Sequence, residues 1–204
     1  MIYLIRHGQT EFNREGRYQG HCDSPLTALG RDQAGRIGAL LASLVDDPAA
    51  WRFSCSPLGR AVQTARIVQA AVGLPDPTLD RRLAEISLGS WDGLTDEEIA
   101  SHSPEVHIAS RYEMFFASPD GEGYGGITAR LQSWLDEAQA DSRPHIVVSH
   151  GVAGQVLRGL YLGLDRGAQA KLAVPQDAVF RLHGGEVTRI DAAPAALVTD
   201  GPGR

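Results

Sequence analysis

Two short runs in the chain end in the same dipeptide. His7-Gly8 follows Ile2-Tyr3-Leu4-Ile5-Arg6, and His150-Gly151 follows Val147-Val148-Ser149. A third run, ending at Cys55-Ser56-Pro57, leads within a few residues to Arg60. Imidazole can serve as nucleophile or proton carrier near neutral pH. Guanidinium offers a planar fork of donors suited to phosphoryl oxygens. Gathering two histidines and two arginines on one spot costs charge repulsion, and a bound dianion such as a phosphoryl group offsets it. Glycine after each histidine would let backbone N–H groups approach the same oxygens. Taken singly, these signals are weak. A lone histidine in a turn is more often solvated, which is the reading for His102, His107 and His183, and a buried arginine is more often a structural ion-pair partner.

The elements must therefore bring the three runs together. Residues 2–5 read as a short buried strand. Pro25 and Thr27 open a helix whose apolar positions Leu29, Ile37, Leu40, Leu41 and Leu44 keep helical spacing until Asp46-Asp47-Pro48 ends it. Residues 51–55 form a second strand, and Ser56 with Pro57 reads as an N-cap followed by proline in the first turn. The helix that follows carries Leu58, Val62, Ala65, Val68 and Val72 and stops at Gly73. Residues 78–83 read as a strand delivering Glu85. Thr95 and Glu98 form a capping box. Pro104 could start a helix through Phe115, residues 119–126 read as a glycine-rich loop, and Ile127 to Ala138 is a helix. Residues 145–149 are a strand, followed by a helix through Leu160. Residues 178–183 and 186–191 read as a hairpin around Gly184-Gly185. Strands alternating with long helices predict a three-layer α/β/α sandwich with a mostly parallel central sheet, antiparallel at the C-terminal hairpin. With no repeat or linker, residues 1–192 read as a single domain and 193–204 as a disordered tail. In such a sheet the ligand lies beyond the carboxyl ends of the strands, where all three runs terminate.

Composition narrows the partners. The chain has 204 residues, 19 Lys+Arg against 25 Asp+Glu, and a formal charge of −6. An acidic chain without a basic block is a poor binder of nucleic acid or anionic membrane. No segment has the ~20 apolar residues of a membrane span. Two cysteines, Cys22 and Cys55, lack a C-x-x-C pair, so a disulfide framework or zinc site of that type is not expected, and the cytoplasm is the expected compartment. The G-x-S-x-G elbow is absent around Ser149, and H-E-x-x-H is absent throughout.

At this level of detail, Arg6-His7-Gly8-Gln9-Thr10-Glu11-Phe12-Asn13 resembles the signature of the histidine phosphatase superfamily, the phosphoglycerate mutase-like fold. Five further blocks resemble the family in order: residues 17–27, Ser56-Pro57-Leu58 with Arg60-Ala61, Leu83 to Gly93 containing Glu85, Pro119-Asp120-Gly121-Glu122, and Val147 to Gly151. The resemblance implies that His7 is a nucleophile forming a phosphohistidine. Arg6, Arg60 and His150 would clamp the phosphoryl oxygens. Glu85 would act as general acid and then general base, against the alternative of an ion pair with Arg81 or Arg82. Asn13, Gln19, Gly20 and Gly151 would line the same pocket, with Glu122 at its rim and His21 at its mouth. A backbone carbonyl on the other ring nitrogen of His7 would fix its tautomer. With these cations, no metal and no cofactor is expected, and the expected partner is a small-molecule phosphate ester bound by a monomer or homodimer.

Two departures separate the chain from mutases of this family. Mutases of this type carry a long insertion with a basic cluster after the fourth block, whereas Thr95 to His102 here is acidic. They also carry His-Gly-Asn-Ser in the last block, where this chain has His150-Gly151-Val152-Ala153. Hydrolysis is therefore the expected reaction, with mutase-type transfer and non-catalytic phosphate binding as the alternatives. Tyr112, Phe115, Phe116 and Tyr124 could form an apolar wall for the leaving group, with Arg111 as the one nearby cation.

Overall fold

A computed structural model describes residues 1–106 and 110–194. Six strands form one sheet in the order β3-β2-β4-β1-β5-β6. They are β1 (Ile2–Arg6), β2 (Arg52–Cys55), β3 (Thr78–Leu79), β4 (His145–Ser149), β5 (Ala178–His183) and β6 (Glu186–Asp191). The first four run parallel, and β5 and β6 are antiparallel, as the hairpin reading predicts.

Alternation along each strand splits the core between two faces. Tyr3 and Ile5 of β1 pack with α2 (Ala28–Ala42) and α3 (Gly59–Val72), through Ile37, Leu41, Ala65 and Val68. Ile2 and Leu4 pack on the other face with α6 (Gly123–Ala140) and α7 (Gly151–Tyr161), through Ile127, Leu131, Val156 and Leu157. The three-layer sandwich is thus present. A third cluster, Tyr18, Leu88, Trp91, Ile99 and Met114, joins α4 (Asp96–His102) and α5 (Arg111–Met114). Two short helices, α1 (Glu11–Arg14) and α8 (Arg166–Gln169), have no counterpart in the sequence reading. Among the described residues no helix is long and apolar enough to cross a membrane.

Register does the positioning. Arg6 pairs with Ser149 across β1 and β4, so the next residues, His7 and His150, leave the sheet side by side. Cys55 pairs with Val148, which brings Ser56 to the same level. Backbone bonds extend each ladder by one step, from His7 N to Ser149 O and from Ser56 N to Val148 O, both at 3.0 Å.

Several boundaries differ from the sequence reading. Helix α3 begins at Gly59 with Leu58 at its N-cap, because Ser56 is drawn into the sheet ladder and turns its hydroxyl to His150. Strand β3 has two residues, since Asp80 caps a 3₁₀ turn at Arg81–Leu83. Of the helix expected from Pro104 to Phe115, only Arg111–Met114 is helical among the described residues, and α6 starts at Gly123 inside the expected loop. Leu29 is 47% exposed, on the outer side of α2. His107 and, from residue 195 onward, the expected tail lie outside the described residues.

Candidate active site

His7 is buried at the end of β1, and its Nδ1 lies 2.7 Å from the carbonyl oxygen of Gly8. A carbonyl only accepts, so Nδ1 carries the proton and Nε2 keeps its lone pair. Burial, then Arg60, then Arg6 hold the pKa of His7 well below 6.5, outweighing the Gly8 bond. His150 is likewise held well below 6.5, by burial first and then by Arg60 and His7. Its ring stands edge-on to that of His7, with centroids 5.1 Å apart. Its Nε2 shares a 2.6 Å hydrogen bond with Ser56 Oγ.

Arg60, on the first turn of α3, is fully buried. Its Nη2 donates to Gly20 O at 2.7 Å, and its Nη1 donates to Cys22 O at 2.9 Å and Asp23 Oδ1 at 3.2 Å. Asp23 also accepts from the backbone N–H groups of Gly59 and Arg60, so one carboxylate both orients the arginine and caps α3. Arg6 donates from Nη1 to Val174 O. Burial lowers the pKa of both arginines. Arg6 Nε, Arg60 Nε and His150 Nδ1 are buried with no hydrogen-bond partner among the described residues. Donors of this kind, drawn together from three strand ends, call for an acceptor carrying several oxygens.

Glu85 reaches the cluster from the segment after the 3₁₀ turn. Its Oε1 accepts from Ala153 N at 2.8 Å and Ile86 N at 3.0 Å, and its Oε2 accepts from Val152 N at 3.1 Å. The N-terminus of α7 therefore orients the carboxyl group. Among the described residues Glu85 forms no ion pair with Arg81 or Arg82, and Arg82 pairs with Asp80 and Glu137.

A cavity of about 460 Å³ opens over these groups. Arg6, His7, Arg60 and Glu85 line it, as do Asn13, Gln19, Gly20 and Gly151. His150 is buried beside them, its ring against that of His7. One expected residue does not reach the cavity. Glu122 turns away and forms a two-point ion pair with Arg130, at 2.5 and 2.9 Å. Arg130 in turn donates to the carbonyls of Arg82, Ala84 and Glu85, so Glu122 acts on the segment that carries Glu85 rather than on the rim. His21 is exposed outside the lining, its Nε2 2.9 Å from Glu85 O.

The glycines also have reasons other than those expected. Gly8 N donates to Thr64 Oγ1, and a Cβ at Gly8 would stand 2.1 Å from Gly30 O, so its use is close packing of the β1 turn on α2. A Cβ at Gly151 would press on the Arg6 guanidinium at 3.3 Å. Gly20 has φ +48°, and a Cβ there would overlap Asp92. Of the expected aromatic wall, Tyr112 and Phe115 line the cavity, and Phe116 packs between Tyr112 and Tyr124 behind it.

Sequence reasoning missed the opposite wall, Ala170 to Val174 with Gln155. It is held by Gln155 Nε2 on Gln169 O and Leu172 O, by Arg158 Nη2 on Ala173 O at 2.6 Å, and by Arg6 on Val174 O. Arg158 is buried over the ring of Phe180, 3.8 Å from its centroid. Among the described residues no cluster of three His, Cys, Asp or Glu side chains could hold a metal ion.

The fold is phosphoglycerate mutase-like, and these residues form its candidate site for a phosphoryl group. The profile of the histidine phosphatase superfamily (branch 1) matches residues 2–189, and the chain belongs to that family. It is 35% identical to the Enterobacter protein named "Probable phosphoglycerate mutase GpmB", over 98% of this chain and 88% of that one. Among solved structures, it resembles a mycobacterial glucosyl-3-phosphoglycerate phosphatase determined with VO3 (TM-score 0.76, 28% identity, 93% of this chain and 96% of that one). It also resembles the alpha-ribazole phosphatase of Shigella flexneri (TM-score 0.74, 27% identity, 94% and 95%).

Proposed function

We propose that the protein is a metal-independent phosphomonoesterase acting on a small-molecule phosphate ester through a phosphohistidine at His7. The observation that carries this reading is the state of His7: held neutral by burial, Arg60 and Arg6, with Nδ1–H tied to Gly8 O, in one cavity with both arginines and Glu85. In the first half-reaction, Nε2 bonds to phosphorus as the ester P–O bond breaks, and the Glu85 carboxyl group gives its proton to the departing oxygen. In the second, the Glu85 carboxylate takes a proton from water, the water oxygen bonds to phosphorus, and the P–N bond breaks. Arg6 and Arg60 neutralise the phosphoryl oxygens throughout. His150 stays neutral, its ring edge-on to that of His7 and its unpartnered Nδ1 a further donor for a phosphoryl oxygen. Two free thiols, Cys22 exposed and Cys55 buried, suit a reducing cytoplasm.

Mutase-type transfer is the second reading, favoured by the name of the GpmB relatives. Hydrolysis is favoured by the aromatic and aliphatic lining, Tyr18, Leu88, Tyr112, Phe115, Leu172 and Val174, which suits a leaving group with an apolar body better than a small, wholly polar phosphoglycerate. The test is product analysis with chelator present. Phosphate release from an aryl phosphate, faster than any interconversion of 2- and 3-phosphoglycerate, is expected. Faster interconversion overturns hydrolysis, loss of turnover with chelator overturns metal independence, and no turnover of either kind supports a binding protein.

A further inference from the structure

The cavity, about 460 Å³, is several times larger than a phosphoryl group, and part of its lining has a distinct chemistry. Tyr18, Tyr112, Phe115, Leu88, Leu172 and Val174 form its walls. Both tyrosines spend their hydroxyls elsewhere. Tyr18 donates to Asp96 Oδ1 at 2.7 Å and Tyr112 to Gln169 Oε1 at 3.2 Å, so carbon surface rather than hydroxyl is what they offer a ligand.

Two guanidiniums border this apolar space, and they differ in what holds them. Arg17 is taken up by Glu98 Oε2 at 2.7 Å, Gly93 O at 2.8 Å and Glu15 at 3.3 Å. Arg111 lies over the Tyr18 ring, 5.7 Å from its centroid, and among the described residues it forms no ion pair. Its charge is felt across the cavity, where it adds to the effects that lower the pKa of Arg6. A cation anchored on an aromatic face within an apolar lining, with no carboxylate partner among the described residues, is a recognition element for an anion.

We propose that Arg111 selects phosphomonoesters whose leaving group has a flat or apolar body ending in a second anionic group, such as a carboxylate. The body lies against Tyr18, Tyr112 and Phe115, and the terminal anion meets the Arg111 guanidinium. This deepens the phosphomonoesterase reading and rests on it.

The test compares esters of equal shape that differ only in end charge: para-carboxyphenyl against para-carbamoylphenyl phosphate, and the corresponding naphthyl pair to extend the reach. A charge-assisted bond of ordinary strength gives the carboxylate member of at least one pair roughly a tenfold advantage in kcat/KM. Arg111→Gln brings that ratio to about one. Arg111→Lys restores part of it, since an ammonium supplies charge without the fork. Arg66→Gln, on the exposed side of α3, leaves the ratio as in the wild type. No carboxylate preference in either pair, or a preference that survives Arg111→Gln, overturns the proposal. If no ester is hydrolysed, the phosphomonoesterase reading fails separately. Calorimetric binding of the same pairs then decides this inference, by the presence or absence of an Arg111-dependent carboxylate preference.

Discussion

The nucleophile's ionisation is decided by its immediate neighbours. An imidazole in water is half protonated near pH 6.5. Burial and two guanidiniums hold His7 neutral well below that, so Nε2 keeps its lone pair in mildly acidic solution. Protonation abolishes attack, and the acidic limb of the kcat/KM profile is therefore expected below pH 6.5. Arg60 is the largest charge acting on His7. Removing a cation raises a histidine pKa, so Arg60→Gln is expected to lower the maximum and to move the acidic limb to higher pH. The profile of the variant reports both, because the position of the limb is independent of its height. A limb that stays in place would assign it to another group. Arg6, His7, Arg60 and His150 stand out in the sequence because each is an unusual choice at a strand end or first helical turn, whereas Glu85 stands out only through the family resemblance. The Ser56–His150 bond, the Glu122–Arg130 pair and the seating of Arg111 on the Tyr18 ring were not legible there. They depend on which of several polar groups meets which partner in three dimensions, and spacing along the chain does not record that.

At the scale of elements, the site depends on how closely α2 approaches the turn after β1. Gly8 and Gly30 face each other backbone to backbone: a Cβ on Gly30 would stand 2.0 Å from Gln9 O. Gly35, on the same helix, faces open space with nothing within 4 Å. One helix thus contains its own control. Gly30→Ala is expected to cost ~1–3 kcal/mol, because backbone rather than a flexible side chain must give way. Gly35→Ala is expected to gain up to ~1 kcal/mol from helix propensity alone. Denaturant midpoints of the two variants check this, and shifts of the same sign would contradict the packing argument. The long elements were legible because apolar periodicity and proline or glycine stops bound them. The short ones, α1 and α8, lack enough residues to show a period, and the Ala170–Val174 wall is placed by carbonyls bonded to Arg6 and Arg158. Backbone acceptors leave no trace in residue type.

For the whole molecule, a formal charge of −6 coexists with a cationic centre. The parallel register of β1, β2 and β4 collects Arg6, His7, Ser56 and His150 at one edge of the sheet, and α3 adds Arg60. The sandwich reading and the antiparallel hairpin follow from the order of elements, which is why fold class was accessible from one sequence. Substrate choice was not, because the outer cavity combines residues from α5, the 170–174 segment and the loop at Tyr18, three regions far apart in the chain. The central claim concerns the covalent intermediate, and the arrangement contains a competitor for that role. Ser56 Oγ lies 2.6 Å from His150 Nε2, the contact a serine nucleophile would need. Rapid acid-free quenching during turnover of an aryl phosphate, followed by peptide mass mapping, separates the two. One phosphoryl group on His7, stable to alkali, labile to acid and absent from His7→Ala, is the expected result. A phosphoryl group on Ser56, or full turnover by His7→Ala, would contradict the account.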